Sequence, residues 1–256
     1  MKYALITGGS SGIGAGFARE YARRGCSLIL VARSKAKLDT LAFALNREHS
    51  VDVQVVELDL AQIGSARQLF DICRRSGWEI DCLINNAGFG WIGNFEKQEY
   101  GKLEQMMILN MVTLTELVYL FLPQLKESKG TLINVSSRAA FQPIPYLAAY
   151  AASKSYVLSL TEALSSELKK SGVAVMALAP GATHTEFFKV ADPAKERELP
   201  NAQTVEEVIS EAMKGLAHHK GVVVSGRWNR MLNLFIKILP RNFVLKLTRF
   251  AMEKWG

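Results

Sequence analysis

Tyr150 and Lys154 stand four positions apart in the stretch Tyr150-Ala151-Ala152-Ser153-Lys154. In a helix such positions share one face, about 6 Å apart at ~1.5 Å rise per residue. An ammonium there can hold a phenol partly ionised and make it a group that gives and takes a proton. Alone, the pair is an ordinary feature of a helix surface, so its meaning depends on the rest of the chain. Near the N-terminus an apolar stretch runs straight into Thr7-Gly8-Gly9-Ser10-Ser11-Gly12-Ile13-Gly14. Glycines permit a tight turn and let backbone N–H groups approach a pyrophosphate at the positive end of a following helix. A structural turn would need only one or two of them. The run therefore predicts a nucleotide-phosphate loop of Gly8, Ser10, Ser11, Gly12, Ile13 and Gly14.

A nucleotide site needs further residues at strand ends. The second apolar run closes at Ala32-Arg33, where an NAD-binding unit places an acid for the ribose hydroxyls. Ala32 stands in that place and Arg33 follows, and a guanidinium suits the 2′-phosphate of NADP. NADP is therefore expected in preference to NAD. Asp59-Leu60 follow the third run and Asn85-Asn86-Ala87-Gly88 the fourth, and Asn110 lies in a long helix. Asn134-Val135-Ser136-Ser137 end the fifth run and Pro180-Gly181 the sixth. His184, just beyond, is either a third acid or incidental. Phe89, Trp91, Phe187 and Phe188 either line an apolar pocket or pack their own loops.

The elements that must position these residues alternate along the chain. Apolar, β-rich runs occur at Tyr3–Thr7, Ser27–Ala32, Val53–Leu58, Cys82–Asn85, Thr131–Val135, Val173–Leu178 and Val222–Ser225. Their near-continuous apolar character fits strands buried on both faces of a parallel sheet. Helical patterns fill the intervals at Gly12–Arg24, Lys35–Glu48, Ser65–Arg75, Tyr100–Leu122, Ala149–Lys170 and Val205–Leu216. Gly25, Gly77 and Gly172 sit where left-handed C-caps belong. Thr204 and Glu207 have the spacing of a capping box. The alternation predicts an α/β fold, a doubly wound parallel sheet of about seven strands with helices on both faces. No linker interrupts it, so residues 1–256 are expected to form one domain.

Composition excludes other classes. The 256 residues are 49% hydrophobic and 21% charged, ordinary for a globular chain. Three cysteines without a C-x-x-C pair argue against a disulfide framework or a metal site and fit a reducing, cytoplasmic compartment. No uninterrupted apolar run of 18 residues exists, and the N-terminus lacks the h-region of a secretory signal. Of the formal charge of +7, seven basic residues and one acid place +6 between Arg227 and Gly256. No base-reading module accompanies that charge, which argues against nucleic acid. Met231, Leu234, Phe235, Ile238, Val244, Leu247 and Met252 recur there near helical spacing, with Pro240 dividing two short helices. This basic amphipathic extension, 227–256, is read as a lid, a subunit contact or a peripheral membrane anchor.

In order and spacing these six motifs resemble the short-chain dehydrogenase/reductase family over essentially the whole chain. The resemblance implies a Rossmann fold and an NAD(P)-dependent oxidoreductase that interconverts a carbonyl and a secondary alcohol. It implies a catalytic tetrad of Asn110, Ser137, Tyr150 and Lys154. Ser137 is preferred to Ser136 because in similar proteins the serine lies thirteen positions before the tyrosine. Tyr150 would protonate the carbonyl oxygen, with Lys154 and the oxidised nicotinamide lowering its pKa. Ser137 would position the oxygen, and Asn110 would support a proton relay. Asp59 would touch the adenine, Asn86 the adenosine side, and Thr183 or Thr185 the nicotinamide carboxamide. Lys154 would hold the nicotinamide ribose, and Leu60, Ala87, Gly88, Pro180 and Gly181 would also border the cofactor. Similar proteins pair the helices around Met111–Leu122 and Tyr156–Leu168 between subunits, which implies a homodimer or tetramer. Two rivals stay open: an NAD-linked alcohol dehydrogenase, and a nucleotide-sensing interaction protein without catalysis.

Overall fold

The structure, a computed structural model, describes residues 1–192 and 201–255. Its strands are β1 (Lys2–Thr7), β2 (Ser27–Ala32), β3 (Val53–Glu57), β4 (Glu79–Asn85), β5 (Thr131–Val135), β6 (Ala174–Ala179) and β7 (Val222–Val224). Its helices are α1 (Gly12–Arg23), α2 (Lys35–His49), α3 (Ser65–Arg75), α4 (Tyr100–Met107), α5 (Leu114–Ser128), α6 (Ala148–Glu167), α7 (Phe187–Ala191), α8 (Val205–Ala217), α9 (Arg227–Ile238) and α10 (Arg241–Trp255). Gly256, the last residue of the predicted extension, lies outside the described residues.

The strands form one parallel sheet in the order β3-β2-β1-β4-β5-β6-β7. Each strand is apolar on both faces: in β1, Ala4 and Ile6 point to one side and Tyr3 and Leu5 to the other. A layer is therefore required on each side. Phe17 of α1, Leu38 of α2 and Val208 of α8 fill the first. Leu69 of α3, Phe121 of α5 and Val157 of α6 fill the second. This is the doubly wound arrangement that the alternation predicts. The chain reverses winding between β1 and β4, so their carboxyl ends open the crevice where such sheets take ligands.

Local signals act as expected where they are local. Gly25, Gly77 and Gly172 all have positive φ, and Thr204 and Glu207 close a complete capping box on α8. Boundaries that depend on packing differ. β4 begins at Glu79 rather than Cys82, because Lys2 and Tyr3 pair with Glu79 and Ile80 before the register shifts. The helix expected to stop before Pro123 continues to Ser128. Leu125 is buried in its last turn, and Gln124 Oε1 accepts the Ile80 backbone N–H at 2.9 Å. A π turn, Ile108–Thr113, joins α4 to α5; one extra residue in a turn leaves no mark on the apolar pattern. The run Tyr100–Ser128 is long and apolar enough to cross a membrane by length and composition. Here Leu117, Val118 and Phe121 bury against the sheet, as in a core helix.

Candidate active site

The glycine loop lies at the carboxyl end of β1, pinned from β4. Thr7 Oγ1 accepts the backbone N–H groups of Asn86 and Ala87, each at 3.0 Å. The Asn86 amide donates to the carbonyls of Thr7 and Gly8 at 2.9 and 3.2 Å. Asn86 thus spends its amide on shaping the loop. A Cβ on Gly14 would run into the Gly8 carbonyl and the Asn86 amide, so only glycine permits this close approach. Ser11, the N-cap of α1, makes no side-chain cap hydrogen bond, which leaves first-turn N–H groups available to an anion.

One cavity of about 740 Å³ runs from this loop across the sheet edge, within the size range of ligand pockets. Gly8, Ser10, Ser11, Gly12 and Ile13 line one end, with Ala32, Arg33, Asp59 and Leu60. Asn86, Ala87 and Gly88 follow, and Pro180, Gly181, Thr183 and Thr185 face them. Asp59 Oδ1 accepts the Ala61 backbone N–H at 3.0 Å. Thr185 packs against Gly12, where a Cβ would lie 3.1 Å from Thr185 Cγ2. The other end is apolar, walled by Phe89, Ile144, Leu147, Phe187, Phe188 and Met252.

The chemistry-bearing side chains meet between the two ends. Tyr150 and Lys154, one helical turn apart on α6, both border the cavity. Ser137 stands beside the Tyr150 hydroxyl and favours its ionised form, and the Tyr150 ring tilts against Phe187 with centroids 5.2 Å apart. Ser136 and Ser137 both line the cavity, yet their hydroxyls differ. Ser136 Oγ donates to the Lys154 carbonyl at 2.7 Å and is held in the core, whereas Ser137 Oγ accepts the Ala139 backbone N–H at 3.1 Å beside Tyr150.

Burial pushes Tyr150 up to about 12, and the neighbouring Ser137 only partly offsets it. Lys154 Nζ donates to the Val135 carbonyl at 2.9 Å and stands 5.8 Å from the centre of the Tyr150 ring. Its own burial pulls it down to about 8. Desolvation is thus the main influence on both groups.

Asn110 stands behind the cavity rather than in its wall. It is fully buried in the π turn, donating to the Phe89 carbonyl and Ser153 Oγ, each at 3.0 Å. A Cβ on Gly88 would lie 2.9 Å from Asn110 Oδ1 and 3.2 Å from Lys154 Nζ, so those two groups converge beside Gly88. His184 is exposed and Trp91 half-buried; neither is among the cavity walls.

The sequence reading missed two residues. Lys37, in the first turn of α2 and four positions after Arg33, borders the cavity and pairs with Glu186 at 3.1 Å. Its nearness to Arg33 in the sequence was the one signal for it. Arg138 also lines the cavity, its guanidinium pulled below its ordinary value by burial; adjacency to Ser137 was its only mark.

The residues fit a dinucleotide: a glycine cradle closed to any Cβ, uncapped N–H groups, and cations where the second ribose phosphate belongs. Known proteins agree with this geometry. The short chain dehydrogenase family model matches residues 2–196. A very-long-chain 3-oxoacyl-CoA reductase of Anas platyrhynchos is 31% identical over 209 residues, covering 77% of this chain and 65% of that protein. The chain thus spans just under two thirds of that relative's length. A 7beta-hydroxysteroid dehydrogenase of Clostridium sardiniense is 29% identical over 230 residues, 90% of this chain and 87% of that one. A solved short-chain dehydrogenase from Sphingobium yanoikuyae in complex with NADPH superposes with a TM-score of 0.82 at 36% identity, covering 88% and 87% of the two chains. With its doubly wound sheet and a family match over most of its length, the chain belongs to the short-chain dehydrogenase family.

Proposed function

We propose that this protein is an NADP-preferring oxidoreductase that interconverts a carbonyl and a secondary alcohol on a bulky, apolar substrate. The observation that carries the reading is the meeting of Tyr150, Ser137 and Lys154 where the polar and apolar ends of one cavity join. The NADPH complex of the Sphingobium relative and the apolar substrates named for the 3-oxoacyl-CoA and hydroxysteroid relatives support it. Arg33 and Lys37 favour a 2′-phosphate, with NAD the weaker coenzyme. Residues 1–256 act as a single nucleotide-binding domain, with 227–256 as its basic extension.

When bound, the nicotinamide supplies the hydride; the chain's own residues manage the oxygen and its proton. Ser137 and Tyr150 are neighbours on the cavity wall, so a carbonyl oxygen placed between them would accept a hydrogen bond from each. Held at about 12, Tyr150 keeps its proton at neutral pH and can give it to that oxygen as the carbon is reduced to CH–OH. Lys154, at about 8, is the nearby group best matched to restore that proton. Asn110 acts as a positioning residue, tying the Phe89 loop to α6 through Ser153.

The assay is reduction of a panel of bulky apolar ketones with NADPH and with NADH, using Tyr150→Phe as control. NADPH-dependent reduction lost in the control is the expected outcome. Turnover that survives the tyrosine's loss would refute the proton assignment.

The free cysteines support a reducing, cytoplasmic setting. Tyr119 and Tyr156, exposed on α5 and α6, support a homodimer through these helices. The extension provides a peripheral membrane contact.

A further inference from the structure

Helix α9 turns its apolar face outward. Asn229, Leu232 and Asn233 face the body, and the Asn229 amide packs on Gly181 and donates to the Ser225 carbonyl at 2.8 Å. On the opposite side, at about 100° per residue, lie Trp228, Met231, Leu234, Phe235 and Ile238. Trp228 is 65% exposed, Leu234 63% and Ile238 75%. Across Pro240, α10 turns Val244 and Thr248 inward, and Thr248 Oγ1 donates to the Pro143 carbonyl at 3.1 Å. Phe243 and Leu247 stand out beside them, each about half exposed. An apolar surface of this size marks a partner.

Charge identifies the partner. The segment from Arg227 onward holds seven of the chain's basic residues and a single acid. Arg249 is neutralised by Glu253 and Arg230 by Glu211. Among the described residues, Arg227, Lys237, Arg241 and Lys246 make no ion pair. Pairing this face with a second copy would set these cations against one another without compensation. An anionic lipid surface meets both demands, since phosphates take the cations and the acyl boundary takes the apolar side chains.

The cavity reaches the same helix. Ala251 and Met252 of α10 line its apolar end, one to two turns beyond Leu247. We propose that the outward faces of α9 and α10 dock on an anionic phospholipid bilayer, and that an apolar substrate enters the cavity from that bilayer beside α10. The docking stands on the surface alone; the entry route rests on the reading of the cavity as a ketone site.

The test is flotation of the full chain with phosphatidylcholine vesicles, with and without phosphatidylserine, at low and high salt. Binding should require phosphatidylserine and be released by salt. The pair Lys237→Gln and Lys246→Gln should weaken it roughly 25-fold, about fivefold for each cation removed. Leu234→Ser with Ile238→Ser should abolish it while keeping the circular dichroism spectrum and turnover of a small water-soluble ketone. For a lipophilic ketone dissolved in vesicles, that pair should raise KM; an equal KM for both ketones relative to wild type would overturn the entry route. Failure of the intact protein to float with phosphatidylserine vesicles at low salt would overturn the docking. So would a dimer, seen by sedimentation velocity, that dissociates in the serine pair without any vesicle binding. If no ketone is reduced at all, the activity reading fails, while flotation still decides the docking.

Discussion

Replacing Lys154 with methionine should make the protein more stable at neutral pH while removing its activity. Lys154 is 5% exposed, and burial lowers its pKa from the ordinary 10.5 to about 8. At ~1.4 kcal/mol per pH unit, holding this lysine charged in the core costs folding about 3 kcal/mol at pH 7. Methionine fills much of the same volume without charge, but leaves the Val135 carbonyl without its donor, a loss of about 1–2 kcal/mol. The net gain is about 1–2 kcal/mol, or roughly 3–6 °C in Tm for a chain of this size. The sign with pH follows from the lowered pKa. Below about pH 8 folded and unfolded chains both carry the charge, and the full penalty applies. Between about 8 and 10.5 the folded protein releases a proton that the unfolded chain keeps, so the penalty fades as pH rises. Thermal unfolding at pH 7 and pH 9.5, without coenzyme, should show the variant's advantage shrinking at the higher pH. Tyr150 works in the opposite direction only above pH 10, outside that window. A variant that melts below wild type at pH 7, or that gains rather than loses advantage toward pH 9.5, would refute the assignment of a buried, penalised ammonium.

Tyr150→Phe should lower turnover by about 10²–10⁴-fold with NADPH affinity kept, as read by steady-state kinetics and coenzyme fluorescence titration. Arg33→Ala with Ala32→Asp should weaken NADPH and strengthen NADH in paired Kd measurements, and adding Lys37→Ala should widen the change; an unaltered preference would place selectivity elsewhere. Gly14→Ala should destabilise by about 1–3 kcal/mol in urea unfolding and impair coenzyme binding, since its methyl group meets the Gly8 carbonyl and the Asn86 amide; a neutral result would count against the tight cradle.

Periodicity and short-range spacing were enough to read the doubly wound sheet, the glycine loop, the capping box of α8 and the division of the C-terminal segment at Pro240. Each of these is decided by residues within a turn or a strand of one another, so the order of side chains along the chain carries the information. The pairing of Tyr150 with Lys154 was legible for the same reason. Their protonation was not, because a pKa answers to burial, and burial is imposed by β5, α7 and the loop after β4 packing around them. Ser136 and Ser137 are neighbours in sequence, and only the turn at the end of β5 sends one hydroxyl to the Lys154 carbonyl and leaves the other beside Tyr150. Lys37 meets Glu186 across 149 positions, a distance no local pattern records. The π turn that seats Asn110 and the apolar side chains that α9 turns outward likewise arise from packing. An apolar residue at helical spacing looks the same in the sequence whether the fold covers it or leaves it exposed.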